Sequence, residues 1–206
     1  MASWRSLPSS PRRVAILGAG GQAETHLDML LALFPALEGI DLWNRSSHRL
    51  EPLIDSRKAR TEVALVRHDT LQGAIEKADV ILCCTSAPSP ILGVSAVRAG
   101  RLIVQAGFHE VDFDAIDACD VVSVDLWGEF AEKSAKSLFQ MYRAGRFAPG
   151  QVQADLPMLL LDGWRSPPGA SLYFSSFGLN VFDIACAARL LRRAEKLGLG
   201  TELPSV

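Results

Sequence analysis

The chain has 206 residues, 49% of them hydrophobic, and its 21 Lys and Arg against 23 Asp and Glu give a net charge of −2. This balance argues against the basic surface that nucleic-acid binding requires. The longest apolar runs are far shorter than the about 20 residues that cross a bilayer. The first residues lack the apolar core of a secretory signal, so we expect no membrane association and a cytoplasmic location.

The cysteines and histidines do not form a metal-binding pattern. Cys83 and Cys84 are adjacent within an apolar run, where neighbouring strand residues point to opposite faces, and we interpret them as small core residues. No Cys or His pair has the close spacing of structural zinc ligands. We therefore expect no metal.

Short apolar runs alternate with helical patterns along most of the chain. This alternation predicts a doubly wound, Rossmann-like α/β fold with a mainly parallel sheet. Because the runs are apolar throughout, helices should cover both faces of the sheet. The predicted strands are residues 14–17, 40–43, 63–67, 80–84, 102–105 and 121–124. The predicted helices are residues 21–34, 49–58, 71–77, 129–144, 151–161 and 179–197.

The predicted helix 179–197 has apolar residues three and four positions apart, which indicates an apolar stripe docked on a core. Gly198 is placed to end this helix. We therefore predict that residues 14–206 form one dinucleotide-binding domain whose C-terminal helix packs back onto it. Residues 1–13 would be an N-terminal extension.

The strongest motif is a glycine-rich G-x-G-x-x-A turn between the first predicted strand and the first predicted helix. Gly18 would permit the tight turn, Gly20 would let the backbone approach a pyrophosphate, and Ala23 would allow close packing of helix and strand. The helix N-terminus would offer free N–H groups to phosphates. This motif predicts dinucleotide binding by Gly18, Ala19, Gly20, Gly21, Gln22 and Ala23.

The second strand ends in Asn44, Arg45 and Ser46, where an NAD-specific site would place an acidic side chain. Arg45 can stack on adenine or pair with a 2′-phosphate. NADP is therefore favoured over NAD, which stays an alternative. Asn44 and Ser47 could instead be only helix N-caps.

Two further strand ends carry candidate residues. Thr85, Ser86 and Ala87 follow the fourth strand and are expected to border the cofactor, because ligands bind at the carboxyl ends of parallel strands. After the fifth strand, His109, Glu110 and Asp112 are candidates for a general acid or base. The alternatives are a plain turn for the first group and solvated loop residues for the second.

Together these stretches resemble the ornithine cyclodeaminase and mu-crystallin family, which includes amino-acid dehydrogenases and ketimine reductases. The matching segments are residues 18–27, 42–46, 78–87, 122–125, 174–183 and 194–200. The resemblance implies that Ser176, Phe177 and Gly178 approach the nicotinamide end. It also implies chemistry in which a hydride moves to or from the carbon beside an amino acid's nitrogen, with an amino acid or cyclic imine as substrate.

Two departures from the family shape the functional hypotheses. The family carries a substrate and dimerisation domain ahead of the glycine turn, and in this sequence only thirteen residues precede Val14. An oxidoreductase would then need that part from a separate chain or homodimer partner, or the sequence would be truncated. In cyclodeaminases an aspartate follows the fifth strand's glycine, where this chain has Phe108 and His109. The hypotheses are therefore an NAD(P)-dependent oxidoreductase, a non-catalytic NADP-binding module and, least supported, a cyclodeaminase.

Overall fold

The computed structural model describes residues 10–201, apart from the side chain of Phe130. Its centre is a seven-stranded, entirely parallel sheet in the order β3-β2-β1-β4-β5-β7-β6. The strands are β1 Arg13–Leu17, β2 Gly39–Trp43, β3 Ala64–Arg67, β4 Val80–Cys83, β5 Leu102–Gln105, β6 Val121–Val124 and β7 Leu172–Ser175. The predicted doubly wound α/β class is confirmed.

Helices cover both faces of this sheet. They are α1 Gly21–Leu33, α2 Leu50–Lys58, α3 Leu71–Ile75, α4 Phe113–Asp117, α5 Ser137–Arg143, α6 Leu156–Leu160 and α7 Asn180–Leu197. No helix within residues 10–201 is long and apolar enough to cross a bilayer. The N-terminal boundary predicted at residue 13 falls inside β1, since Arg13 is its first residue.

Two apolar clusters lie on opposite faces of the sheet. Val14 and Ile16 of β1 pack with Leu27 and Leu30 of α1 on one face. Ala15 and Leu17 of β1 belong to the cluster on the other face, together with residues of α3, α4 and α5. The alternation follows from the two-residue period of a strand, and it explains why the strand runs are apolar throughout.

The predicted local structure was wrong at four places. The prediction missed β7, although Tyr173 and Phe174 favour strands, and it missed α4. The predicted helix 129–144 is a short 3-10 turn and a separate α5, because the backbone is extended at Lys136. The predicted helix 151–161 begins only at Leu156, since Asp155 caps it through a hydrogen bond from the Met158 N–H (3.0 Å).

The C-terminal helix is where the structure departs most from the expected packing. α7 ends at Gly198, which has a φ of 63°, as predicted. However, no residue of α7 is buried, and Ile184, Leu190 and Leu191 are 68%, 70% and 61% exposed. The apolar stripe is present, but the predicted docking of α7 on the core does not occur within residues 10–201.

Candidate functional site

The glycine turn between β1 and α1 brings the backbone close to β4. Gly18 has a φ of 122°, and a Cβ there would overlap the carbonyl oxygen of Cys84. Gly20 is the N-cap residue of α1, and no side chain caps this end of the helix. Ala23 is fully buried against the sheet. The turn therefore leaves the first N–H groups of α1 open, as an anion-binding helix terminus requires.

A cleft opens at the carboxyl ends of β1, β2 and β4. It brings together nine of the predicted cofactor residues, namely Gly18, Ala19, Gly20, Asn44, Arg45, Ser46, Thr85, Ser86 and Ala87. Gly21, Gln22 and Ala23 are in α1 and do not line it. The cleft also includes Trp43, Arg49, Cys84, Pro88 and Ile91, which the sequence analysis did not propose. Arg49 could have been proposed from the sequence, since it is a second arginine that lies four residues after Arg45.

The rim of the cleft beside β2 is cationic. Arg45 and Arg49 are exposed, and neither forms an ion pair within residues 10–201. The residues lining the cleft include no carboxylate. Asn44 donates a hydrogen bond to the carbonyl oxygen of Ser46 (2.9 Å) and so shapes the turn. The alternative that Asn44 or Ser47 is a helix N-cap is wrong, because Ser46 is the N-cap residue and forms no side-chain cap.

Glu110 fixes the loop that follows β4. Its Oε1 accepts hydrogen bonds from the backbone N–H (2.9 Å) and the hydroxyl (3.1 Å) of Thr85, and its Oε2 accepts one from Gln105 (3.2 Å). A Cβ at Gly107 would overlap Glu110 Oε1. Because Glu110 is fully buried, the alternative of a solvated loop carboxylate is wrong for this residue.

A chain of buried hydrogen bonds leads from β7 to His109. The Tyr173 hydroxyl donates to Gln105 Oε1, and Gln105 Nε2 donates to the Ser137 hydroxyl oxygen (2.9 Å). The same Ser137 oxygen lies 2.9 Å from Nδ1 of His109. His109 is half-buried, and this burial lowers its pKa below the usual value despite the nearby carboxylates of Asp112 and Glu110.

Lys136 holds the backbone after β5. Its Nζ donates to the carbonyl oxygens of Ala106 (3.0 Å) and Gly107 (2.5 Å). Burial lowers the pKa of Lys136, and the carboxylates of Glu110 and Asp125 oppose that effect. The sequence analysis did not propose Lys136, because a lysine within a predicted helix indicates a solvated face.

Asp125 organises the segment that the family resemblance places near the nicotinamide. Its Oδ2 accepts hydrogen bonds from the N–H groups of Phe177 (2.8 Å) and Gly178 (3.2 Å) and from the Ser176 hydroxyl (3.3 Å). Burial raises the pKa of this carboxyl, although the backbone N–H groups oppose the rise. The ring of Phe177 also lies 4.1 Å from that of Phe139, measured between centroids.

The structure separates the three predicted acid or base candidates. Glu110 is bound to Thr85 and Gln105, as described above. Asp112 is an exposed N-cap residue of α4, and its carboxylate accepts a long hydrogen bond from the Asp114 N–H (3.4 Å). His109 differs from both carboxylates. It is half-buried, and no residue of 10–201 is hydrogen-bonded to its ring nitrogen Nε2. Across the same residues, no group of three His, Cys, Asp or Glu side chains could hold a metal ion.

The sheet order and the glycine turn define a Rossmann-like protein of the dinucleotide-binding type. The model of the ornithine cyclodeaminase/mu-crystallin family matches residues 7–196, and the chain belongs to this family.

Relatives with known names agree with this assignment. The chain is 27% identical over 184 residues to the ketimine reductase mu-crystallin of Macropus fuliginosus, covering 89% of this chain and 55% of that protein. It is 23% identical over 193 residues to the NAD(P)H-dependent anabolic L-arginine dehydrogenase DauB of Pseudomonas aeruginosa, covering 90% and 59%. The chain thus spans little more than half the length of these relatives.

Solved structures share the fold. The Δ1-pyrroline-2-carboxylate reductase of Thermococcus litoralis, in complex with NADH and L-proline, superposes with a TM-score of 0.86 at 19% identity, covering 98% of this chain and 64% of that one. An archaeal alanine dehydrogenase dimer with bound NAD gives a TM-score of 0.85 at 16% identity, covering 100% and 64%.

Proposed function

We propose that residues 14–206 bind a nicotinamide dinucleotide, NADP in preference to NAD, and form the cofactor-binding part of an oxidoreductase that acts on an amino acid or a cyclic imine. The relatives that carry such names are longer than this chain, and the part that holds the substrate is proposed to lie outside residues 14–206. The observation that carries the proposal is the geometry of Gly18 and the uncapped start of α1.

The phosphates would lie over that uncapped helix start. Gly18 lies against Cys84 of β4, and the backbone at Gly20 has open space around the position that a Cβ would occupy. A pyrophosphate there would accept hydrogen bonds from backbone N–H groups at the positive end of the helix dipole. Ser176, Phe177 and Gly178, held by Asp125, would approach the nicotinamide end.

The preference for NADP follows from the charges beside β2. Arg45 and Arg49 line the cleft without ion-pair partners among residues 10–201, and no lining residue is acidic. A 2′-phosphate would gain charge-assisted hydrogen bonds there and would meet no repelling carboxylate. NADH lacks this phosphate and would not gain these charge-assisted hydrogen bonds.

A bound nicotinamide would supply or accept the hydride, so the residues of this chain would position the reactants and manage protons. One observation also favours the second hypothesis, a non-catalytic NADP-binding module: two of the three acid or base candidates, Glu110 and Asp112, are engaged in structural hydrogen bonds. Both hypotheses predict the same cofactor binding, and they differ only in hydride transfer.

The test is a fluorescence titration of the purified protein with NADPH and with NADH. NADPH should bind more tightly, and Arg45→Ala should weaken NADPH binding by about tenfold, because a charge-assisted hydrogen bond at an exposed site is lost. Binding of NADH should change little. Arg49→Ala should act in the same direction.

The matched control is Arg60→Ala, which removes an exposed arginine that lines a different cleft. It should leave both affinities unchanged. If the wild-type protein binds neither nucleotide, the proposed function is wrong. If Arg45→Ala weakens NADPH and NADH equally, only the assignment of the 2′-phosphate to Arg45 is wrong.

A further inference from the structure

The hydrogen-bond partners of Ser137 include His109. Ser137 is fully buried at the start of α5, and its hydroxyl oxygen has three polar neighbours. They are Gln105 Nε2 at 2.9 Å, the Val111 N–H at 3.4 Å and His109 Nδ1 at 2.9 Å. The first two can only donate, so only His109 Nδ1 can accept the hydroxyl hydrogen of Ser137.

The orientation of the Gln105 amide supports this assignment. Its Oε1 accepts from the Tyr173 hydroxyl, and its Nε2 lies within hydrogen-bond distance of the carbonyl oxygen of Phe108 (2.9 Å) and of Glu110 Oε2 (3.2 Å), which are both acceptors. A flipped amide would place an oxygen against both acceptors. A proton on His109 Nδ1 would leave the buried Ser137 hydroxyl hydrogen with no acceptor, which proteins avoid.

The charged groups around His109 do not reverse this preference. Glu110 is engaged with Thr85 and Gln105, Asp112 is exposed, and Lys136 donates to the carbonyls of Ala106 and Gly107. No carboxylate within residues 10–201 forms an ion pair with His109. The ring therefore has no anionic partner that would keep both nitrogens protonated.

His109 lies in the loop at the carboxyl end of β5, next to the candidate cofactor site. Within this loop, Gly107 lies so close to Thr85 that a Cβ would overlap the Thr85 carbonyl oxygen, and Thr85 lines the cleft. Nε2 has no hydrogen-bond partner in residues 10–201, and the residue is only half-buried. The Nε2–H group is thus available to a bound molecule.

We propose that Ser137 holds His109 as a neutral imidazole with its proton on Nε2, so that His109 acts as a fixed hydrogen-bond donor to an sp² oxygen of the bound ligand and not as the proton-supplying acid. A neutral imidazole N–H is a strong donor but a poor acid. The oxygen would belong to the nicotinamide carboxamide or to a substrate carboxylate. The ligand role rests on the proposed function, whereas the protonation state does not.

The protonation state is tested on the ligand-free protein by long-range ¹H–¹⁵N NMR of ¹⁵N-histidine-labelled chain, with His109→Gln identifying the signal. At pH 7 the signals should show a protonated Nε2 and an unprotonated Nδ1. Ser137→Ala should move Nδ1 toward the protonated form. An imidazolium, a proton on Nδ1, or an unchanged Ser137→Ala spectrum would overturn the proposal.

The ligand role is tested by two variants of His109 whose side-chain amides stand near one or the other of the two ring nitrogens. His109→Gln retains a donor near the Nε2 position, and His109→Asn retains one only near the Nδ1 position. His109→Gln should keep the affinity within about twofold, and His109→Asn should lose about three- to tenfold, as one hydrogen bond is removed. Circular dichroism confirms that both variants fold.

Two titrations distinguish the source of the oxygen. If the two variants differ only in their affinity for NADPH, the oxygen belongs to the nicotinamide carboxamide. If they differ only in their affinity for L-proline, added to the NADP⁺-saturated protein, the oxygen belongs to a carboxylate. Equal affinities of both variants in both titrations would refute the donor role. If the wild-type protein does not bind NADPH, the proposed function and the ligand role fail together, while the NMR result on Ser137 and His109 stands separately.

Discussion

Two buried carboxylates and one half-buried lysine hold the loops at the carboxyl edge of the sheet by binding to backbone atoms. Glu110 accepts from the Thr85 N–H, Asp125 from the Phe177 and Gly178 N–H groups, and Lys136 donates to the Ala106 and Gly107 carbonyls. A buried charge is costly unless it is paired and hydrogen-bonded, so these contacts keep the loops in one conformation. At the residue scale, the site is therefore preorganised by groups that do not themselves line the cleft.

The sequence could predict the role of Gly18 but not the contacts that these three residues form. A glycine between a strand and a helix signals a tight turn because only local backbone geometry is involved. The partners of Glu110 and Asp125 are 25 and 52 residues away in the chain, at Thr85 and Phe177. Local patterns contain no information on such distant pairs.

A prediction at the residue scale concerns thiol reactivity. Burial raises the pKa of Cys84 and of Cys119 to about 12 and raises the pKa of Cys83 well above its usual value, whereas Cys186 is exposed on α7. At pH 8 a thiol with a pKa near 12 contains almost no reactive thiolate. A native titration with Ellman's reagent should show one fast thiol among the four.

The control variant is Cys186→Ser, which should abolish the fast phase and leave the slow one. Cys84→Ser should leave the fast phase intact. A fast reaction that survives in Cys186→Ser would contradict the burial of Cys83, Cys84 and Cys119. In denaturant all four thiols should react.

At the scale of elements, caps and charged side chains set where the helices begin and end. The Thr70 hydroxyl accepts from the Gly73 N–H (3.1 Å) and starts α3 at Leu71, where the predicted helix 71–77 also begins. At its other end, the buried Arg101 donates to the carbonyls of Ile75 (2.7 Å), Glu76 (3.0 Å) and Ala78 (2.9 Å). The second cap depends on the residue directly before β5 and could not be inferred locally.

This arrangement predicts that Arg101→Met lowers the free energy of unfolding. The carbonyl groups of Ile75, Glu76 and Ala78 would each lose one hydrogen bond, and we expect a loss of about 2–4 kcal/mol, measured by urea denaturation. Burial lowers the pKa of Arg101 only to about 10, so the guanidinium is still charged at neutral pH.

The neighbouring Arg98 provides a graded comparison. Its guanidinium donates to the carbonyls of Glu76 and Ala78, both at 2.9 Å, but the side chain is 45% exposed. Arg98→Ala should therefore cost about 1 kcal/mol or less, since water can replace the lost donor. Equal losses for the two variants would show that burial does not set the contribution of Arg101.

At the scale of the whole molecule, the sheet and its two apolar clusters form the core, and α7 contributes nothing buried to it. Its 18 residues present Val181, Ile184, Leu190 and Leu191 to the outside. The stability of residues 10–201 should then be independent of the apolar side chains of α7, in contrast to those of the other long helix, α1.

The corresponding prediction compares α7 with α1. The double variant Leu190→Gln and Leu191→Gln should change the melting temperature by about 2 °C or less, as exposed substitutions do. Leu27→Ala in α1 should cost about 3 kcal/mol, because Leu27 is fully buried. A loss in the α7 variant as large as that of Leu27→Ala would show that this stripe is covered in solution.

The sequence by itself determined the fold class, four of the strands to within one residue, β5 and β6 without error, and the glycine turn. These features follow from hydrophobic period and local backbone geometry, which neighbouring residues encode. Only the tertiary structure decided that β7 lies between β5 and β6, that Glu110 is buried, that Ser137 contacts His109, and that the apolar stripe of α7 is exposed. Each of these features depends on how segments far apart in the chain are arranged. An apolar stripe in a helix predicts an apolar face, but it does not show which part of the molecule, if any, packs against that face.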